Sequence, residues 1–115
     1  MKLRQPFTPA EFDAACRELI RQCPFLSETS GYRSLARNAS VGGNPQSKHC
    51  LGMARDFAAP SQAGLDQGMA AARELGFWTE VHDVGSGDHL HVQGLPPGEV
   101  PQWWQDKYGT TKSVG

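Results

Sequence analysis

Residues 47–56 read Ser47-Lys48-His49-Cys50-Leu51-Gly52-Met53-Ala54-Arg55-Asp56, and this stretch constrains what the rest of the chain has to do. His49 and Asp56 are both metal-ligating residue types. They stand seven positions apart, which in fully extended chain is roughly 23 Å. Two ligands of one ion lie within a few ångströms of each other, so sharing a metal requires the backbone to double back between them. Gly52 sits where a reversal can be made, and Met53-Ala54-Arg55-Asp56-Phe57 beyond it reads as a strand.

Upstream, Thr8-Pro9-Ala10-Glu11 has the form of a capping box with proline at the first helical position. Phe12, Ala15, Cys16, Leu19, Ile20 and Cys23 then recur at three- and four-residue steps, which predicts an amphipathic helix ending at Pro24. Ser27-Glu28-Thr29-Ser30 reads as a short strand, a short helix is expected over 35–39, and 41–47 reads as loop. Downstream, Pro60 and Ser61 introduce a helix over 62–75, with Leu65, Met69, Ala72 and Leu75 on one face and Gly76 as its C-terminal cap. Phe77 to Val81 and Leu90 to Gln93 alternate like the arms of a hairpin joined at 83–87. From residue 95 onward an irregular tail packed by its tryptophans is expected. Together these elements predict a single α+β domain over 1–115, with helices packed on a small, mostly antiparallel sheet.

Composition narrows the function classes. At 115 residues the chain is about one domain long, and a hydrophobic fraction of 38% with 20% charged residues is ordinary for a globular protein. The net charge of -1 and the absence of a basic run give no support to a nucleic-acid partner. Nothing approaches the length of an apolar membrane span. Lys2 and Arg4 are followed by Pro6-Phe7-Thr8-Pro9 and no apolar run, so no secretory signal is expected and synthesis is placed in the cytoplasm. Three cysteines, Cys16, Cys23 and Cys50, lack C-x-x-C spacing, which disfavours a disulfide framework or a cysteine-rich zinc site. Cys16 and Cys23 are read as core residues. Cys50, beside His49, leaves open a thiol nucleophile.

The four histidines are His49, His82, His89 and His91. Asp88-His89-Leu90-His91 places two of them next to a carboxylate, a candidate general base whose proton exchange with an attacking water is ordinary acid–base chemistry. An odd offset puts Asp88 and His91 on opposite faces of a regular strand, so a joint role needs Asp88 to lie in the turn. His89 and His91, two apart, share a face. The helical H-E-x-x-H zinc signature is absent.

Ser47-x-His49-x-x-Gly52-x-Ala54-x-Asp56 resembles the S-x-H-x-x-G-x-A-x-D signature of the M15-type zinc peptidases, the D-Ala-D-Ala carboxypeptidase and L-Ala-D-Glu endopeptidase group that includes VanY, VanX and Hedgehog-like domains. Ser30-Gly31-Tyr32-Arg33-Ser34 resembles the upstream S-G-Y-R-S segment, and Asp88-x-x-His91 is similar to the group's acidic-residue-x-x-His motif. The segment Asn38-Ala39-Ser40-Val41-Gly42-Gly43 with Pro45 resembles the phage-associated branch.

The resemblance implies a Hedgehog/DD-peptidase-like fold and one zinc ion per chain on His49, Asp56 and His91, with Asp88 as base. It also implies that Arg33 stabilises the oxyanion or the substrate's carboxylate. Ser47 is read either as a contact to substrate or ligand or as a loop cap, and His89 either as polarising the scissile carbonyl or as solvent-facing. His82 matches no motif position and is read as loop or surface. Arg55 is expected to turn away from the site. Trp78, Trp103 and Trp104 either line a groove or pack the core and tail. The implied partner is a peptidoglycan stem peptide, cut by a monomeric enzyme of endolysin or virion type that reaches the wall through a holin or tail delivery. The rival from another class is a non-catalytic zinc-binding interaction module of the same fold.

Overall fold

The computed structural model describes residues 1–31, 48–83 and 87–109. Helix α1 spans Pro9–Gln22 and begins with a reciprocal cap: Glu11 N–H donates to Thr8 Oγ1 at 3.1 Å, and Thr8 N–H donates to Glu11 Oε1 at 2.8 Å. Helix α2 spans Gln62–Leu75; Gly64 N–H donates to Ser61 Oγ at its start. At its end Gly76 adopts φ 102°, and a Cβ there would stand 2.0 Å from Leu3 O, so both conformation and space demand glycine.

Four strands complete the described architecture: β1 (Ser27–Ser30), β2 (Ala54–Ala58), β3 (Trp78–Asp83) and β4 (Asp88–Gln93). They form one antiparallel sheet in the order β1-β2-β4-β3, an α+β fold. The hairpin arms are longer than their alternating cores suggested, because strand pairing continues outward through His82↔His89 to Asp83↔Asp88.

Alternation divides the sheet into two faces. Phe57, Leu90 and Val92 join the core with Phe12, Ala15, Cys16 and Leu19 of α1 and Leu65, Ala72 and Leu75 of α2. Burying each of the large apolar side chains contributes about 1.5–3 kcal/mol. The pattern reading of Cys16 and Cys23 holds: both are buried, and burial pushes the Cys16 thiol up to about 12. Asp56, His89, His91 and Gln93 occupy the other face.

Part of the expected irregular tail is helical. Helix α3 runs Gln102–Tyr108, with Trp104 buried and its ring 5.3 Å from that of Tyr108. Trp104 Nε1–H donates to Phe7 O at 2.8 Å, so this helix closes the bottom of the core, while Trp103 faces outward at 57% exposure. Tryptophan spacing alone conceals a seven-residue helix, because its stability comes from that tertiary anchor rather than from propensity. No helix among the described residues is long and apolar enough to cross a membrane. The expected helix over 35–39 lies outside the described residues.

Candidate metal centre

The reversal between His49 and Asp56 is a single 3-10 turn over Lys48–Leu51 followed by Gly52 at φ 71°. Gly52 N–H donates to His49 O and Met53 N–H to Lys48 O, both at 3.0 Å, and β2 starts directly after. The left-handed conformation is the one that glycine adopts without strain. Sheet register supplies the third residue: Asp56 on β2 and His91 on β4 are direct cross-strand partners. Such partners carry their side chains on one face with Cβ atoms about 5 Å apart.

The three side chains converge. Asp56 Oδ1 lies 2.8 Å from His91 Nδ1, and Asp56 Oδ2 lies 3.2 Å from His49 Nε2. One ligand atom from each residue lies within 4.8 Å of the others. His49 and His91 are 2% and 8% exposed, so water does little to screen the group. Gly31 O lies 2.7 Å from His49 Nδ1. A carbonyl accepts only, so that nitrogen carries the hydrogen, and Nε2 presents its lone pair toward Asp56 in the neutral ring.

Electrostatics follow from this crowding. Burial pushes the Asp56 carboxyl up, but its hydrogen bonds to His49 and His91, and their charges, hold it well below the usual carboxylate range. For His91, burial pushes the pKa down; hydrogen bonds to Asp56 and Gln93 and the negative charges of Asp56 and Glu80 outweigh it, and the net shift is upward. The two shifts are mutual: Asp56 is held ionised by the imidazoles, and His91 is held to its proton by Asp56. Two imidazole nitrogens and a carboxylate oxygen form a donor set suited to zinc, which takes three protein ligands at a reactive site and leaves a fourth position open. The residues present fit the ion.

The other expected residues distribute as follows. His89 is buried, not solvent-facing, and its Nδ1 lies 3.0 Å from Thr29 Oγ1. Asp88 is exposed and is the first residue of β4, opposite Asp83, so strand alternation gives it the side of Leu90. It lies outside the three-residue cluster, although it lines a cleft together with His89, Ala58 and Ser61. Arg55 turns toward α1: it bonds Asp13 and Glu28 at 3.2 and 3.3 Å and lies over the Phe12 ring. Arg33, Ser47 and the side chain of Cys50 lie outside the described residues.

Two neighbours were not legible in the motifs. His82, read as loop or surface, lies in β3 with its ring 4.9 Å from that of His91, edge to face. Glu80 is the direct cross-strand partner of His91 on its other side, and its Oε2 lies 3.5 Å from His82 Nε2. Trp78 completes this strip, its ring 6.0 Å from His91. Their two-residue spacing in β3 was the available signal, but it acquires meaning only once β3 is registered against β4.

Comparison with known proteins identifies the family. The model of the family described as Peptidase M15 matches residues 13–93, which include all three cluster residues. A zinc D-Ala-D-Ala carboxypeptidase of Streptomyces albus G is 40% identical over 72 residues, covering 60% of this chain and 28% of that relative. The chain thus spans less than a third of the curated relative it matches. No solved structure matches the chain. With its family model running from α1 through the last site strand, and with His49, Asp56 and His91 gathered around one position, the chain belongs to the peptidase M15 family.

Proposed function

We propose that the protein is a zinc-dependent peptidase that hydrolyses peptidoglycan stem peptides, at the terminal D-Ala-D-Ala bond or at the L-Ala-D-Glu bond. The carrying observation is the convergence of His49, Asp56 and His91 from a turn and two strands onto one point. Family membership and the D-Ala-D-Ala carboxypeptidase activity named for the Streptomyces relative support the substrate class.

In this reading His49, Asp56 and His91 hold the ion. Zinc, when bound, supplies a Lewis acid that acidifies water and polarises a carbonyl. Asp88, given the base role by the motif resemblance, accepts the proton of the water that attacks the scissile carbonyl carbon, then delivers it to the amine as the C–N bond breaks. This requires its carboxylate to swing from the Leu90 side at the strand start toward the ligands. His89, buried beside the ligands and tied to Thr29, faces that carbonyl and stabilises charge on its oxygen. Arg33 binds the developing oxyanion or the substrate's terminal carboxylate. The motif resemblance supports an endolysin-like or virion-associated setting, in which the wall is reached from a phage or prophage.

Mass spectrometry of purified stem peptides after incubation, with and without chelator, tests the reading. A loss of one D-Ala or a cut after L-Ala, abolished by chelator and restored by zinc, is the expected result; intact peptides under every condition overturn it. The exposed position of Asp88 at the strand start favours one rival, a zinc-binding module that does not turn over. Asp88→Ala separates the two. Full biological effect with zinc retained sinks the enzyme.

A further inference from the structure

Gln93 is a buried polar side chain two residues beyond His91 on the same face of β4, and no motif includes it. Its amide makes two bonds whose directions are forced. Leu95 O lies 2.8 Å from Gln93 Nε2, and a backbone carbonyl only accepts, so the NH2 end of the amide must point there. The oxygen end therefore points at His91, where Oε1 lies 2.8 Å from Nε2. Oε1 also only accepts. His91 Nε2 consequently carries a ring hydrogen, while Nδ1, 2.8 Å from Asp56 Oδ1, donates to that carboxylate when the ring is charged and turns its lone pair to the same side once that proton is given up to a metal.

We infer that Gln93 is the positioning residue of the centre: through it, the Leu95 carbonyl selects the His91 tautomer that offers Nδ1 to a metal. The inference rests on the zinc reading and deepens it. The arrangement mirrors that of His49, where Gly31 O claims Nδ1 and leaves Nε2 facing Asp56. Both imidazoles are thereby set by backbone carbonyls, one directly and one through an amide. Groups that hold the far nitrogen of a ligating imidazole are typically worth about 10–100-fold in metal affinity. Because Leu95 is itself buried in the core, the orientation is anchored to packing rather than to a mobile side chain.

Two substitutions separate this role from a merely structural one. Gln93→Leu removes both the acceptor toward His91 and the donor toward Leu95. Gln93→Glu keeps an acceptor toward His91 but turns an oxygen onto Leu95 O. Zinc affinity measured by chelator competition should weaken about 10–100-fold in Gln93→Leu. It should stay much nearer wild type in Gln93→Glu, although that variant melts at a lower temperature. Two-bond 1H–15N spectra of the zinc-loaded wild type should show His91 protonated at Nε2 and bare at Nδ1, and in Gln93→Leu at equal zinc occupancy the Nε2 hydrogen should exchange faster with solvent. If zinc affinity instead falls with melting temperature, leaving the Glu variant as weak as the Leu variant, the inference is overturned. Protonation of His91 at Nδ1 in the zinc-loaded wild type overturns it as well. A wild type that binds no zinc defeats the peptidase reading instead, while spectra of the metal-free protein still judge Gln93 by whether the His91 Nε2 hydrogen is protected from exchange and loses that protection in Gln93→Leu.

Discussion

The two faces of β4 are buried to similar degrees by different means. Leu90 and Val92 lie under α1 and α2 and need only shape and apolar area. His89, His91 and Gln93 on the reverse face are nearly as withdrawn from water, and each carries polar atoms that must find a partner. Those partners are Thr29, Asp56 and the Leu95 carbonyl, drawn from β1, β2 and the chain beyond β4. The apolar face therefore tolerates exchange of like for like, whereas the polar face is a connected network in which losing one member exposes the demands of the next.

The sharpest way to break this comparison is Asp56→Ala, which removes the group that both imidazoles face. Zinc affinity should fall by more than about 100-fold, since even groups behind a ligand are worth 10–100-fold. Hydrolysis should drop to background while the circular dichroism of the fold persists. Metal content after dialysis gives the readout, and full retention of zinc would contradict the ligand assignment. On the opposite face Leu90→Ala should cost about 2–5 kcal/mol in denaturant unfolding. Zinc bound per folded molecule should stay unchanged. A variant that loses metal before it loses stability would show that the two faces are not independent.

A milder contrast comes from pH. The folded pKa of Asp56 is depressed, so its contribution to the stability of the metal-free protein is present above the unfolded value of about 3.9 and is lost as pH falls through the folded one. The folded pKa of His91 is raised, so its contribution is present below about 6.5 and is lost as pH rises through the folded value. Metal-free protein should therefore be most stable between about pH 4 and 6.5 and weaken above that window. Zinc-loaded protein should not weaken there, because metal binding is favoured once ligands shed their protons. Parallel melting curves from pH 6 to 8.5 check this, and superimposable pH profiles with and without zinc would refute it. The smallest effect belongs to a region remote from both faces: Thr8→Ala should cost about 1 kcal/mol through loss of the α1 cap. Zinc affinity should not change.

Much of this molecule was legible in one dimension. The capping box at Thr8 and Glu11, the left-handed Gly76 and the 62–75 helix each depend on interactions within a few residues, so local sequence suffices to place them. His49, Asp56 and His91 could be singled out because liganding residue types are few and their spacing matches a motif. The placement of Asp88 was not legible in this way: its side depends on whether it lies in the turn or in the strand, and strand pairing with Asp83 decides that. Helix α3 likewise exists because Trp104 finds Phe7, 97 residues away.

By itself, then, the sequence determined which side chains were available for metal chemistry and where the helices over 9–22 and 62–75 and the strands would fall, since those follow from residue type and short-range periodicity. Only the tertiary structure decided that Asp56 faces His91 across a strand pair, that Glu80 and His82 flank it, and that the Gly31 carbonyl and the Gln93 amide meet the imidazole nitrogens turned away from Asp56. Register and hydrogen-bond direction are properties of pairs distant along the chain, and no local pattern encodes them.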